Sequence, residues 1–167
     1  MTKPKHYIRA PGTYFITAET WQRRPIFSKA APAEIFVAQI LHYRKQGAYL
    51  LHEFVLMPDH FHALLTPTTN TTLEKAVQLI KGSTSYRIRH ELSYRWPVWQ
   101  TGFYDHRIRN MLDCEKHTRY IEQNPIQKKL AAQPVEYRYS SASSRYELDP
   151  LPQGLKPTKV EATVRTG

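Results

Sequence analysis

Apolar positions recur along the chain with two different periods. Thr13 to Thr17 is a β-branched and aromatic run directly after Pro11-Gly12, and it predicts a strand that leaves a turn. Trp21 to Ser28 reads as a loop. From Pro32 to Gln46 the spacing changes to that of a helix, with Ile35, Phe36, Ala38, Gln39, Ile40 and Tyr43 on its period; Pro32 and Gly47 punctuate its ends. Tyr49 to Met57 is almost continuously apolar, which predicts a buried strand. Met57-Pro58-Asp59 is a turn, and His60 to Pro67 resumes as a strand, so the two form a hairpin.

Thr72 is placed to cap a second helix, whose buried period runs through Leu73, Val77, Ile80, Thr84, Ile88 and Leu92. Its other face carries Lys75, Lys81, Arg87 and Arg89. Phe103 to Arg109 predicts a fourth strand. Asp113 is placed to cap a third helix that runs to about Asn124, where Pro125 interrupts it before a short helix near Ile126 to Ala132. The stretch from Pro134 reads as irregular. The order strand, helix, strand, strand, helix, strand, helix predicts an α+β domain, ferredoxin-like or RRM-like: an antiparallel sheet with helices on one face. The expected division is one domain over 1–145 and a flexible tail over 146–167.

Composition narrows the partners. The 167 residues suit one domain with one core. One cysteine excludes a disulfide framework or a Cys-rich zinc module, and predicts a reducing, cytoplasmic setting. No apolar run approaches the roughly 18–20 residues that a membrane span needs. The net charge of +10 favours a polyanion, most simply nucleic acid. That charge is uneven. Residues 1–45 carry 8 basic and 2 acidic side chains, residues 46–74 carry 3 acidic and none basic, and residues 75–145 carry 13 basic and 6 acidic. The one acidic stretch is the one that holds the histidine strand.

His60 and His62 flank Phe61. On a strand, residues two apart project to the same face, about 6.6–7 Å apart, so two imidazoles can converge on one divalent ion. Alone, the pair is equally consistent with two surface histidines. Tyr120 and Asn124 stand four apart in the third helix, which presents a phenol and a carboxamide on one face. Alone, these read as a packing tyrosine and a helix C-cap. Together the four residues suit phosphoryl transfer. A metal on His60, His62 and the Asn124 amide oxygen would polarise a phosphate, and Tyr120 would attack it. The product would be a phosphotyrosyl ester, which keeps the bond energy and lets strands be rejoined.

These residues sit inside longer segments: GTYFITAETWQRRPIF, LLHEFVLMPDHFHALLTP, LEKAVQLIKGSTSYRI, WQTGFYDHRIR and RYIEQNP, with the later YRYSSA. In that order they resemble the HUH-type single-tyrosine transposases, most closely the REP-associated tyrosine transposase branch. The resemblance covers roughly residues 10–143. It implies an α+β fold with the catalytic tyrosine, Tyr120, on a C-terminal helix. It implies His60, His62 and Asn124 as ligands of Mg²⁺ or Mn²⁺, and cleavage of single-stranded DNA near palindromic hairpins with attachment to the 5′ phosphate. One departure is NPIQKKL, where many relatives carry a glycine before the leucine; it adds charge beside the site.

Arg23 and Arg24 follow the first strand in a loop that resembles the family's DNA-reading region. Lys75, Lys81, Arg87 and Arg89 suit a phosphate track and Tyr86 a stacked base, or else a solvated helix face. Asp105 and His106 read as structural or supporting residues rather than ligands, His52 and His117 as incidental, and Cys114 as a small helix residue. A catalytically silent hairpin-binding protein and a zinc hydrolase are the alternatives. The sequence leaves monomer and homodimer open.

Overall fold

A computed structural model of the chain describes residues 11–155. Strands and helices follow in the order β1 (Tyr14–Glu19), α1 (Ala30–Lys45), β2 (Tyr49–Met57), β3 (His60–Pro67), α2 (Leu73–Glu91), β4 (Tyr104–Arg107) and α3 (Met111–Gln127). The strands form one antiparallel sheet in the order β2-β3-β1-β4. This is the α+β architecture that the period changes predict, and β3, the histidine strand, lies inside the sheet between β2 and β1.

Alternation divides the strands between two faces. Ile16, Phe54, Phe61, Ala63 and Leu65 join Phe36, Ile40, Val77 and Ile80 of α1 and α2 in the larger core. Phe61 packs on Phe36 at 4.8 Å and on Trp99 at 5.5 Å between ring centroids. The opposite face carries Phe15, Val55, Met57 and Leu64, which pack with Cys114 and Ile121 of α3. So α1 and α2 share one face as expected, while α3, the helix of Tyr120, covers part of the other.

Local chemistry explains the ends of the helices. The Thr72 hydroxyl accepts the Lys75 N–H at 3.1 Å and opens α2. Asn110, rather than Asp113, caps α3, with its side-chain oxygen accepting the Asp113 N–H at 2.9 Å. Asp113 stands a turn further in, where its carboxylate accepts the Arg109 N–H at 2.9 Å. The helix also continues through Pro125 to Gln127 instead of stopping at Asn124. A proline in a last turn removes one hydrogen bond there, and the Leu130 N–H returns to the Pro125 carbonyl at 2.8 Å.

The segment after α3 covers the β2 edge. Val55 bridges to Ser140, and the Tyr137 hydroxyl donates to the Leu56 carbonyl at 2.8 Å. Asp149 accepts from Arg44 at 2.9 and 3.0 Å and from the Leu51 N–H at 2.8 Å. The Asp149 bonds lie within the expected tail; residues 156–167 lie outside the described residues. Among the described residues no helix is long and apolar enough to cross a membrane.

Candidate active site

On the α3 face an open cleft of about 660 Å³ lies between β1, β3 and α3. His60, His62, Tyr120 and Asn124 all line it, together with Phe15, Thr17, Glu19 and Arg23. The structure therefore brings together the strand pair and the helix pair, 58 residues apart in sequence between His62 and Tyr120. The two imidazoles stand edge to face at 4.7 Å, and the Tyr120 ring stands edge on to His62 at 5.2 Å.

Each histidine has one nitrogen already committed. His62 Nδ1 bonds the Thr17 hydroxyl at 2.7 Å, and His60 Nδ1 bonds an Asp59 carboxylate oxygen at 2.7 Å. Such partners fix each ring through Nδ1 and leave Nε2 for another partner, which for His62 is the Asn124 amide nitrogen. Both rings are held neutral. Burial lowers the His62 pKa to about 3, with His60 and Arg23 adding to the shift. Burial also lowers His60, against the opposing pull of Asp59.

Asn124 is 4% exposed, and its Nδ2 lies 3.4 Å from His62 Nε2. Its Oδ1 is buried with no hydrogen-bond partner. An orphaned buried amide oxygen costs about 1–3 kcal/mol, so its persistence on a residue whose amide nitrogen meets a neutral imidazole needs an explanation. Two imidazoles and a hard neutral oxygen form a donor set that fits a divalent cation. Tyr120, one turn earlier on α3, is 45% exposed, so its hydroxyl is open to a ligand in the cleft.

Arg23 enters the cleft from a strained turn, since Gln22 and Arg23 both have φ of 54°. Its guanidinium meets Glu19 at 2.6 Å and Asp59 at 3.2 Å. The remaining basic candidates stand apart from the cleft. Arg24 lies 4.8 and 4.6 Å from the Trp21 and Trp96 rings. Lys81 donates to the Gln100 and Gly102 carbonyls at 2.9 and 2.6 Å, and burial lowers its pKa. Lys75, Tyr86 and Arg87 border a hollow between α1 and α2, and Arg87 pairs with Glu91. Arg89 borders a neighbouring hollow that also includes Tyr86.

Sequence reasoning missed Thr17, Glu19 and Asp59 as supports. Alternation on β1 was the available signal, because Phe15, Thr17 and Glu19 share the face that meets His62 and His60 across the register. It also missed Lys116, Arg119 and Lys128, basic side chains of α3 and its end that line the cleft. His117 lines it too. With His106 and Asp113 it forms a cluster whose nitrogen and oxygen donor atoms lie within 4.8 Å of one another.

The sequence profile of the family described as "Transposase IS200 like" matches residues 12–124. A REP-associated tyrosine transposase of Escherichia coli (strain K12) is 23% identical over 142 residues, covering 84% of this chain and 82% of that protein. An uncharacterised protein of Haemophilus influenzae (strain ATCC 51907 / DSM 11121 / KW20 / Rd) is 27% identical over 153 residues, covering 73% of this chain and 85% of the other. Among solved structures, that of a REP-associated tyrosine transposase bound to a REP hairpin superposes with a TM-score of 0.67 at 21% identity. That superposition covers 95% of this chain and 96% of the other.

Proposed function

We propose that this chain, which belongs to the IS200-like transposase family, cleaves and rejoins single-stranded DNA beside hairpins, with Tyr120 as the nucleophile. The observation that carries the reading is the buried, unpartnered Oδ1 of Asn124 beside His62, on the same helix face as an exposed Tyr120. His60, His62 and Asn124 would hold the cation, Mg²⁺ or Mn²⁺. When bound, that cation supplies Lewis-acid polarisation of the scissile phosphate. The protein groups do the rest. Thr17 and Asp59 hold the imidazole rings in orientation. Phe15 stacks on His62 at 5.2 Å and meets Tyr120 edge on at 5.8 Å, so the phenol stands at a fixed angle to the ligand pair. The Tyr120 oxygen attacks phosphorus, the 3′ oxygen leaves, and the phosphotyrosyl ester conserves the bond for rejoining.

Among the basic side chains, Arg23, Lys116, Arg119 and Lys128 line the cleft and meet the backbone phosphates there. Arg24, Lys75, Lys81, Tyr86, Arg87 and Arg89 serve DNA only where the strand leaves the cleft. A neighbouring fold bound to a REP hairpin supports a palindromic hairpin as the substrate.

The test is incubation of the full chain with Mn²⁺ and hairpin oligonucleotides from its own genomic neighbourhood, followed by mass spectrometry. The expected result is a covalent adduct that maps to Tyr120 and is absent from Tyr120→Phe. Adduct at the parental level in Tyr120→Phe would remove the tyrosine from its role. Tight hairpin binding without any adduct would make the protein a silent binder.

A further inference from the structure

For Tyr120 to form a bond to phosphorus its hydroxyl must lose a proton, and His60, His62 and Asn124 are committed to the cation. We propose that His117 is the acceptor, an inference that rests on the reading of Tyr120 as nucleophile. His117 stands one turn before Tyr120 on α3 and lines the same cleft. Both rings pack on Phe15, His117 at 4.7 Å and Tyr120 at 5.8 Å, so one side chain fixes the two together.

The tautomer is set from behind. His117 Nδ1 donates to the Asp113 carbonyl at 2.8 Å and lies 3.2 Å from an Asp113 carboxylate oxygen. Nδ1 therefore carries the hydrogen, and Nε2 is the basic nitrogen; it has no hydrogen-bond partner among the described residues. Asp113 is 8% exposed. Burial pushes its carboxyl up, but hydrogen bonds from His106 and the Arg109 N–H outweigh burial and hold it below the ordinary value. A buried carboxylate behind an imidazole stabilises the imidazolium that forms when Nε2 takes a proton. The other charged or titratable groups around this cluster and the cleft are Arg109, 3.5 Å from the Asp113 carboxylate, Lys116 and Arg119 on α3, Lys128 just past its end, His106 and Tyr104 on β4, Glu19 on β1, Arg23 in the loop after it, and the two histidines of β3.

A metal ion is the competing occupant of this cluster. The His106 and His117 rings are stacked at 4.7 Å with their planes within 17° of parallel. An ion bound by both nitrogens must lie in both ring planes, so one ring would have to turn, and either His106 would lose its bond to the Asp113 carboxylate or His117 its bond to the Asp113 carbonyl. The observed arrangement is that of a proton carrier held by a carboxylate.

As the Tyr120 Oη–P bond forms, the hydroxyl proton moves to His117 Nε2, directly or through one water. The P–O3′ bond breaks, its electron pair stays on O3′, and that oxygen takes a proton from solvent. Rejoining reverses each transfer, and the departing phenolate recovers its proton from the imidazolium.

Single-turnover adduct formation by the full chain on a hairpin oligonucleotide with Mn²⁺, from about pH 5 to about pH 9, tests this. The expected result is a rate about 100-fold lower in His117→Gln and His117→Ala. The acid limb of the parental profile should be lost, the rate of His117→Ala should recover in part with free imidazole, and DNA and Mn²⁺ affinities should be unchanged. A parental rate and pH profile in His117→Gln overturns the inference and leaves Tyr120 in place. Equal losses of DNA or Mn²⁺ affinity in both variants overturn it in favour of a structural role, and tight Zn²⁺ binding lost in His117→Gln reassigns the cluster to a metal. Absence of adduct in the parent removes the reading of the site first.

Discussion

The two faces of the sheet are built from the same strands and put them to opposite uses. Toward α1 and α2, Ile16, Phe54, Phe61 and Leu65 are at 0% exposure in an apolar layer. Toward α3 the intervening residues are Phe15, Thr17, Glu19, His60 and His62, and the layer is half protein and half cleft. On β3 the division falls within three residues, since Phe61 is locked in the core while its neighbours carry the imidazoles. Packing on one face fixes the imidazoles on the other, because a strand cannot turn His60 and His62 without unseating Phe61.

Phe61→Ala tests that coupling most severely. Truncating a buried phenylalanine costs about 3–5 kcal/mol. The expected outcome is a large fall in Tm and, at temperatures where the variant stays folded, weaker Mn²⁺ binding. Unchanged Mn²⁺ affinity in the folded variant would uncouple the two faces.

Acid should attack through the polar side first. Burial lowers the pKa values of His52 and His60, and that of His62 to about 3. The unfolded chain takes up these protons near pH 6.5 and the folded chain resists, so stability is complete above that value and is lost as pH falls toward about 3. Denaturant midpoints across this window should decline with falling pH, and less steeply in His62→Leu. A decline of the same slope in His62→Leu would shift the cause to His52 and the carboxylates.

Asn124 gives a smaller effect of the opposite sign. Its Oδ1 has no partner, so Asn124→Leu relieves a buried polar atom. Stability should be unchanged or higher by about 1 kcal/mol while Mn²⁺ binding is lost. A clear loss of stability by thermal melting would mean that the amide is structural.

The elements were legible wherever one period governed them. The hairpin strands Tyr49–Met57 and His60–Pro67 stand where the sequence puts them, because an apolar run, a Pro-Asp turn and a second run admit one reading. The end of α3 was not, since a proline in a final turn loses only one bond and the following chain closes over it. In the site, same-face spacing marked the histidine pair and the Tyr120–Asn124 pair as candidates, because two and four residues are local periods, and the family resemblance singled them out. Asp59 beside His60 and Asp113 four before His117 are local pairings too and went unread, whereas Thr17 against His62 and His106 against Asp113 depend on which strand and helix lie side by side, which no local period records. The same holds for Asp149, whose partner Arg44 is 105 residues away.

The smallest expected effects separate the basic residues of the two faces. Lys116 lines the cleft, whereas Arg87 lies on the far side of the sheet and is paired with Glu91 at 2.5 and 3.1 Å. An exposed i,i+4 pair contributes about 0.3–0.5 kcal/mol, so Arg87→Ala should barely move Tm. DNA affinity measured over a series of salt concentrations discriminates further. Removing one cation that neutralises a phosphate lowers the slope of log K against log salt by about 0.7 for a single strand. Lys116→Ala should show that change and Arg87→Ala should not. Equal slope changes in both variants would mean that the strand wraps the sheet and meets both faces, and the division of labour between them would then hold for the chemistry but not for the grip on DNA.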